Sequence, residues 1–417
     1  MTSFKSEFLH IMHERGFYNQ CTNEEGFDTY LADCEKKGIP AVGYLGSDPT
    51  GDSLHVGHIV PLMMLRWFQK CGHKPLTLVG GATARIGDPS GKDKLRPFLS
   101  EETLAHNVDG LKKSFMKFLR FGDGKNDALM VDNYDWFKDI NYLEFLRDIG
   151  TCYSVNRMLT MDSVKSRLER EQPMSFLEFN YMLLQGYDFC VLLQKYGCRA
   201  QIAGADQWGN IVSGTELGRR RYDTELFGFT SPIITDSAGK KMGKSEGNAV
   251  WINEDKLPAY DYYQYFRNIG DAEVGKCLRI FTDLPIDEVR RLEALQDKEI
   301  NEAKKILAYE ATKICRGEAE AAAARETAIK TFEKGIVGEE LPTAEVSKNG
   351  IGVLDAFLAL GFVASKGEAR RLIKQAGLKL NDKVITDENY IITEKDIENG
   401  NIKLSQGKKK HGLLLLK

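Results

Sequence analysis

The sequence predicts an α/β protein whose first part is a parallel sheet with helices on both faces. Three observations point there. Short apolar runs of strand length alternate with longer helical patterns as far as residue 235. From Tyr260 to Phe332 the pattern is helical with no strand signal, so a helical domain follows. Lys334–Gly350 then carries three glycines, one proline and few large apolar residues, which reads as a linker before a last segment with its own apolar pattern. The expected divisions are 1–235, 236–335, 336–352 and 353–417.

In chain order, the strand runs are Ala41–Gly46, Pro75–Gly81, Ala128–Val131, Arg199–Gly204 and Pro232–Thr235. The main helical runs between them are Leu54–Cys71, Glu102–Phe121 and Phe176–Tyr196. In the later helical stretch, Ala319–Arg325 is built almost wholly of strong helix formers. Ligands of such sheets bind beyond the carboxyl ends of the strands. His55, His58 and Asp88 each follow a strand run and so fall at that edge.

Composition narrows the functional classes. At 417 residues the chain is long enough for two or three domains. Its 42% apolar and 28% charged residues suit a core that needs no covalent staple. Net charge is −3, so no global basic field announces a nucleic acid. The charge is uneven, however. Gly361–Lys417 holds twelve Lys/Arg against seven Asp/Glu, or +5, leaving −8 on the remainder. A polyanionic partner is therefore expected at the tail. The eight cysteines form no CxxC pair and no zinc pattern, and read as reduced thiols. The first seventeen residues lack a signal-peptide pattern, and no run reaches the ~20 apolar residues that span a bilayer. A cytoplasmic protein is expected, without a membrane partner, a prosthetic group or a dedicated metal site.

Pro49-Thr-Gly-Asp-Ser-Leu-His-Val-Gly-His58 opens the first long helical run. Asp52 or Ser53 can cap that helix. His55 and His58 then share a face of its first turns, where unpaired amides and the positive dipole end favour phosphate. Gly57 lets a nucleotide approach the backbone closely. Lys241-Met-Gly-Lys-Ser245 lies almost two hundred residues downstream, on a loop after a strand run. Its two lysines can neutralise charge developing on a leaving pyrophosphate, and its glycine lets the loop close and open. A third element, Gly80–Lys92, is glycine-rich but has neither the Walker nor the GxGxxG spacing. Lys92 and Arg96 would add cations there, and Asp88 could take an ammonium group. A lone HxxH or Lys-Lys pair is usually a solvated surface, so the weight rests on the two motifs occurring together.

In this order and at this separation, the motifs resemble the ATP signatures of class I aminoacyl-tRNA synthetases. The span Tyr44–Lys92, with Tyr181–Asp188 and Asp206–Asn210, is similar to tyrosyl-tRNA synthetases of the bacterial type, and the resemblance runs nearly full length. It implies a Rossmann-like catalytic domain, an α-helical domain and a small C-terminal α+β RNA-binding domain. It also implies that Tyr181, Gln185 and Asp88 hold a substrate ammonium, and that Tyr44 and Asp188 hydrogen-bond a phenolic hydroxyl. Thr83, Asn133 and Gln207 would support them. Asp48, Asp206 and the backbone near Gly46, Gly57 and Gly204 would meet ATP, with His58 on its sugar. Thr50, His55, Lys92, Arg96, Lys241, Lys244 and Ser245 would stabilise the reacting triphosphate. Spacings of four and three put Tyr181, Gln185 and Asp188 on one helical face. A buried acid that pairs with a phenol is left unpaired by phenylalanine, so selectivity needs no editing domain. The implied substrates are L-tyrosine, ATP accompanied by Mg2+, and tRNA(Tyr); the implied assembly is a homodimer.

Ser365–Gly377 resembles the small RNA-binding domain first known from a ribosomal protein. Lys366, Arg370, Arg371 and Lys374, with Lys408, Lys409 and Lys410, would then track an RNA backbone. Arg219–Arg221 would touch the acceptor end. The chain departs from the widest signatures at Val56, where isoleucine is usual, and at Gly243, where serine is. Pro61 also removes a backbone donor inside the first helix. Two rivals remain: a tryptophan-specific relative, against which Asp188 and Tyr44 argue, and a non-catalytic RNA-binding derivative, against which both signatures argue.

Overall fold

The computed structural model describes residues 4–89, 99–236, 239, 241–245, 248–332, 342–346, 350–398, 401–407 and 410–416. The chain divides into two compact units, Met1–Leu257 with Gly270–Ala303, and Pro258–Ile269 with Lys304–Lys417.

The first unit is built on a six-stranded sheet. Its strands are β1 (Gln20–Cys21), β2 (Val42–Ser47), β3 (Lys74–Val79), β4 (Leu129–Asp132), β5 (Cys198–Gly204) and β6 (Phe227–Ser231), in the order β1-β6-β5-β2-β3-β4. All neighbours pair in parallel except β1, which lies antiparallel on the edge beside β6. The strand order reverses direction around β2, the switch point at which open α/β sheets take their ligands. The first signature leaves the sheet there.

Four of the expected strands fall within two residues of their places; the fifth does not. β6 is Phe227–Ser231, whereas Pro232–Thr235 only reaches an isolated bridge from Thr235 to Lys241. Pro232 has no amide hydrogen to offer the ladder, so pairing stops before it. Phe176–Tyr196 forms as read. Ser175 caps it by accepting from the Glu178 amide, Glu178 returns a bond to Ser175, and Gly197 closes it at φ 66°. The first signature's helix is Val56–Lys70 and runs on through Pro61. It lies on the sheet, and a side chain at Gly43 of β2 would come within 3.1 Å of Phe68. Phe8 meets Phe27 and Phe68 edge-on, at 6.3 and 5.1 Å, to fill the space beneath.

The second unit contains helices Ala259–Arg267 and Glu318–Phe332, packed together, and a small α+β body. That body holds a five-stranded sheet of order β12-β11-β14-β15-β9, with β9 (Thr343–Val346), β11 (Leu378–Leu380), β12 (Lys383–Val384), β14 (Ile402–Gln406) and β15 (Lys410–Leu416). A separate pair joins β10 (Ile351–Gly352) to β13 (Ile391–Ile392). Val353, Phe357, Ile373, Leu378, Leu404 and Leu414 are among its core. β9 lies inside the stretch expected to be a linker, yet it pairs in parallel with β15. Thr-Ala-Glu-Val alternates polar and apolar, but four residues are too short for that alternation to stand out from the stretch around it.

Candidate active site

Two polar networks form at the carboxyl ends of β2, β3 and β4. The first centres on Asp188, which is 2% exposed on the inner face of Phe176–Tyr196. One of its oxygens accepts from Asn133 Nδ2 at 3.0 Å and the other from Trp136 Nε1 at 2.9 Å. Asn133 follows β4 directly and also accepts from the Ala82 amide at 2.7 Å. Its Nδ2 lies 3.0 Å from Thr83 Oγ1, and Thr83 in turn donates to Asp48 at 2.7 Å. Tyr181 donates to the other Asp48 oxygen at 3.0 Å. A side chain at Gly80 would lie 2.0 Å from the Asp48 carboxylate, so only glycine lets this loop close over the network. Asp48, expected beside ATP, thus shares one network with the residues expected around the amino acid.

Burial pushes the Asp188 carboxyl up to about 8, against the pull of its two donors. Tyr44 on β2 is fully buried, and its hydroxyl has no hydrogen-bond partner among the described residues. Burial first, and the Asp188 charge next, hold that phenol well above its ordinary range, so it stays a neutral hydroxyl. An unpaired buried hydroxyl is costly unless a ligand completes it. A ligand hydroxyl can pair with Asp188 whether the acid is ionised and accepting or neutral and donating. An unsubstituted ring can do neither.

The second network surrounds Asp88. Gln207 donates to Asp88 at 2.9 Å, Gln185 donates to Gln207 Oε1 at 3.3 Å, and Asn210 donates to the same oxygen at 3.2 Å. Tyr181, Gln185 and Asp188 therefore share a face as the spacing requires. Asp206 is exposed and accepts from Gln207 at 3.3 Å; Gly204 ends β5 beside it.

The nucleotide side differs from expectation in its cap. Neither Asp52 nor Ser53 caps the signature helix; His55 does. Its Nδ1 accepts from the Gly57 amide at 3.1 Å, and His58 Nδ1 accepts from the His55 amide at 3.2 Å. With both Nδ1 atoms accepting, the neutral rings carry their proton on Nε2, each a donor. Asp52 instead pairs with Lys256 at 2.6 Å and His106 at 3.3 Å, and that Lys256 bond holds its carboxyl below the usual range. Thr50, Gly46 and Gly57 are exposed at the same sheet edge.

The two signatures meet. Gly243 takes φ 82°, and a Cβ there would lie 3.0 Å from the Gly57 nitrogen and from Val56 Cβ. The absent serine side chain is thus replaced by close backbone packing. Lys241 is exposed on this loop. Lys244–Ser245 form β7, paired with Asn248–Ala249 (β8), but their side chains lie outside the described residues, as do Lys92, Arg96, Lys408 and Lys409. In the small α+β body, Lys366, Arg370, Arg371 and Lys374 are exposed on one nine-residue helix, and Lys410 is exposed on β15. Lys366 pairs with Asp355 at 2.7 Å and Arg370 with Glu388 at 3.5 Å. Arg220 donates to the Cys152 carbonyl at 2.6 Å, which ties part of that triplet down. Among the described residues no metal-ligating cluster occurs, and no helix is long and apolar enough to cross a membrane. All eight cysteines are free.

Sequence reading missed Trp136, His55 as the cap, and Asn253, which bonds the first signature at Asp52 and Ser53. Trp136 stands three residues after Asn133, at helical spacing, which is the one signal that could have found it.

A nucleotide edge with two signatures in contact, above a buried acid and phenol, defines an adenylate-forming class I site. Residues 36–333 match the family model described as tRNA synthetases class I (W and Y), and residues 354–397 match the S4 domain. The chain belongs to the class I tRNA synthetase family of the tryptophan and tyrosine type. It is 51% identical over 419 residues to a tyrosine–tRNA ligase of Nitrobacter winogradskyi, covering 99% of each chain. It is 52% identical over 418 residues to a tyrosine–tRNA ligase of Rhodospirillum rubrum, again covering 99% of each. A C-terminally truncated mitochondrial tyrosyl-tRNA synthetase of Aspergillus nidulans superposes with TM-score 0.69 at 30% identity, over 78% of this chain and 94% of that one.

Proposed function

We infer that this protein is a tyrosine–tRNA ligase. It activates L-tyrosine with ATP and passes the tyrosyl group to the terminal ribose of tRNA(Tyr). The observation that carries the choice of amino acid is the buried Asp188 beside the unpartnered Tyr44 hydroxyl. The tyrosine phenol completes both. Its ammonium lies toward Asp88, Tyr181 and Gln185, and Gln207 holds Asp88 in place.

The tyrosine carboxylate is already ionised at neutral pH, so no base is needed. One of its oxygens attacks the α-phosphorus of ATP, and the bond from that phosphorus to the bridging oxygen breaks. Pyrophosphate leaves with the electron pair. Catalysis is then positioning and charge stabilisation. His55 and His58 present Nε2 donors at the start of the signature helix, Thr50 lies beside them, and Lys241, Lys244, Ser245, Lys92 and Arg96 supply hydroxyl and cationic partners. Asp206 and the backbone at Gly46 and Gly204 meet the ribose. Mg2+ arrives with ATP. In the second step a ribose hydroxyl of the tRNA attacks the acyl carbonyl and AMP departs.

Lys366, Arg370, Arg371, Lys374 and Lys408–Lys410 hold tRNA through its phosphates, in a tail that is basic while the rest of the chain is acidic. The functional division runs 1–235 and 236–335, with the C-terminal body beginning at β9 rather than at residue 353, because β9 and β10 pair with strands of that body. The active species is a cytoplasmic homodimer. Leu143, Val155, Leu168 and Phe176 are each more than half exposed, and such apolar exposure suits a self-complementary interface. ATP–pyrophosphate exchange tests the reading. Stimulation by tyrosine is expected; stimulation by tryptophan, or by neither, would overturn it.

A further inference from the structure

We propose that Asn253 is a positioning residue that fixes the first ATP signature against the segment leaving the second. The inference rests on the ATP site described under the proposed function. Asn253 is 4% exposed and reaches two separate segments, residues 52–53 and the helix Glu101–Met116. Its backbone amide donates to Ser53 Oγ at 3.1 Å. Its Nδ2 donates to the Asp52 carbonyl and to the Gly110 carbonyl, each at 3.0 Å. Its Oδ1 accepts from Ser114 Oγ at 2.9 Å, and Ser114 Oγ in turn accepts from the Leu54 amide at 3.3 Å.

Two backbone rungs extend this junction towards the phosphate end. The Ile252 amide donates to Leu54 O at 2.9 Å, and the Val56 amide donates to Val250 O at 2.9 Å. His55, the cap of the signature helix, sits between those rungs. At the far end the Val250 amide donates to Gly243 O at 3.2 Å, inside the second signature. On the opposite side, a Cβ at Gly110 would lie 1.9 Å from the Asp52 carbonyl oxygen, so the helix Glu101–Met116 presses directly on the signature backbone. Asn253 is thus the side chain that ties residues 52–54 both to that helix and to the strand-like segment 250–253. The imidazoles cannot keep their register on the triphosphate if this tie slips. Tyrosine's own pocket does not involve it.

The test is tyrosine-dependent ATP–pyrophosphate exchange on the full chain, comparing the unaltered protein with Asn253→Asp. The aspartate keeps the size and the acceptor for Ser114 but loses both Nδ2 donors. KM for ATP is expected to rise by about tenfold or more, one buried donor pair being worth that factor. KM for tyrosine, and tyrosine binding without ATP by equilibrium dialysis, should stay within about twofold. Ser114→Ala, a milder cut at the same junction, should raise the ATP value in the same direction by a smaller factor. An unchanged ATP value in Asn253→Asp, or an equal loss of tyrosine binding, would overturn the positioning role while leaving the functional reading intact. Failure of the unaltered chain to exchange with tyrosine would overturn both.

Discussion

Asp188→Asn is the sharpest perturbation of the amino-acid pocket. Asp188 takes one bond from Asn133 and one from Trp136 on its two oxygens. An asparagine has one acceptor oxygen and turns an NH2 group at the remaining donor, so one buried donor loses its partner. Where the acid is ionised, the phenol of tyrosine meanwhile trades a charge-assisted bond for a neutral one, roughly half as strong. With aspartate in place, phenylalanine leaves the acid only its Asn133 and Trp136 bonds and forfeits the ligand bond, worth about 1.5–3 kcal/mol when the acid is ionised. The donor left without a partner is common to both amino acids and cancels in the ratio, so tyrosine-over-phenylalanine selectivity should fall by roughly 0.75–1.5 kcal/mol, about threefold to tenfold. The assay is kcat/KM for pyrophosphate exchange with each amino acid. An unchanged ratio would refute the assigned role. The same variant carries a stability signature of fixed sign. Folding raises the Asp188 pKa from 3.8 to about 8, so its contribution is intact below pH 3.8 and is lost as pH rises through about 8. Asp188→Asn removes that loss. The unliganded variant should be more stable than the parent at pH 9, with the gain shrinking toward pH 4. A gain independent of pH would sink the burial argument.

Three further outcomes are expected. Removing residues 342–417 should spare tyrosine activation and cut tRNA charging; equal loss of both would make the tail structural, and the cut belongs before β9 because that strand is part of the C-terminal sheet. Arg371→Gln with Lys374→Gln should weaken tRNA binding and make the dependence of log K on log salt shallower by roughly 0.7–0.9 for each phosphate charge no longer neutralised; an unchanged slope would remove those side chains from the interface. Gly243→Ser should cost about 1 kcal/mol or more of local stability, because φ is 82° and the new Cβ meets Gly57 and Val56 at 3.0 Å. Amide exchange over 241–250 should quicken, and exchange at the parent's rate would show that the loop is not held there.

What the sequence made legible was what local pattern encodes. The Phe176–Tyr196 helix carries its own cap box and stop glycine, so its span and its polar face could both be read. The signatures could be read because each is a contiguous motif. The rest depends on meetings between distant segments. Trp136 is an ordinary aromatic until Asp188 arrives from another helix. Asp48 looks like a loop acid beside a nucleotide until Tyr181 and Thr83 both bond to it. Asp52 and Ser53 are better capping residues than histidine by propensity, yet Lys256 and Asn253 claim them first, which leaves His55 to cap. β6 lay one proline upstream of its expected place, and β9 is too short for its alternation of polar and apolar residues to betray it.

The parallel pairing of β9 with β15 sets an order of events during synthesis. Residues 343–346 leave the ribosome some seventy residues before residues 413–416. Until the later segment emerges, β9 has no partner and β14 has an open edge where β15 belongs. The earlier unit can therefore complete its sheet while the tail is still a nascent chain, and the RNA-gripping body closes only when its distant halves are both available.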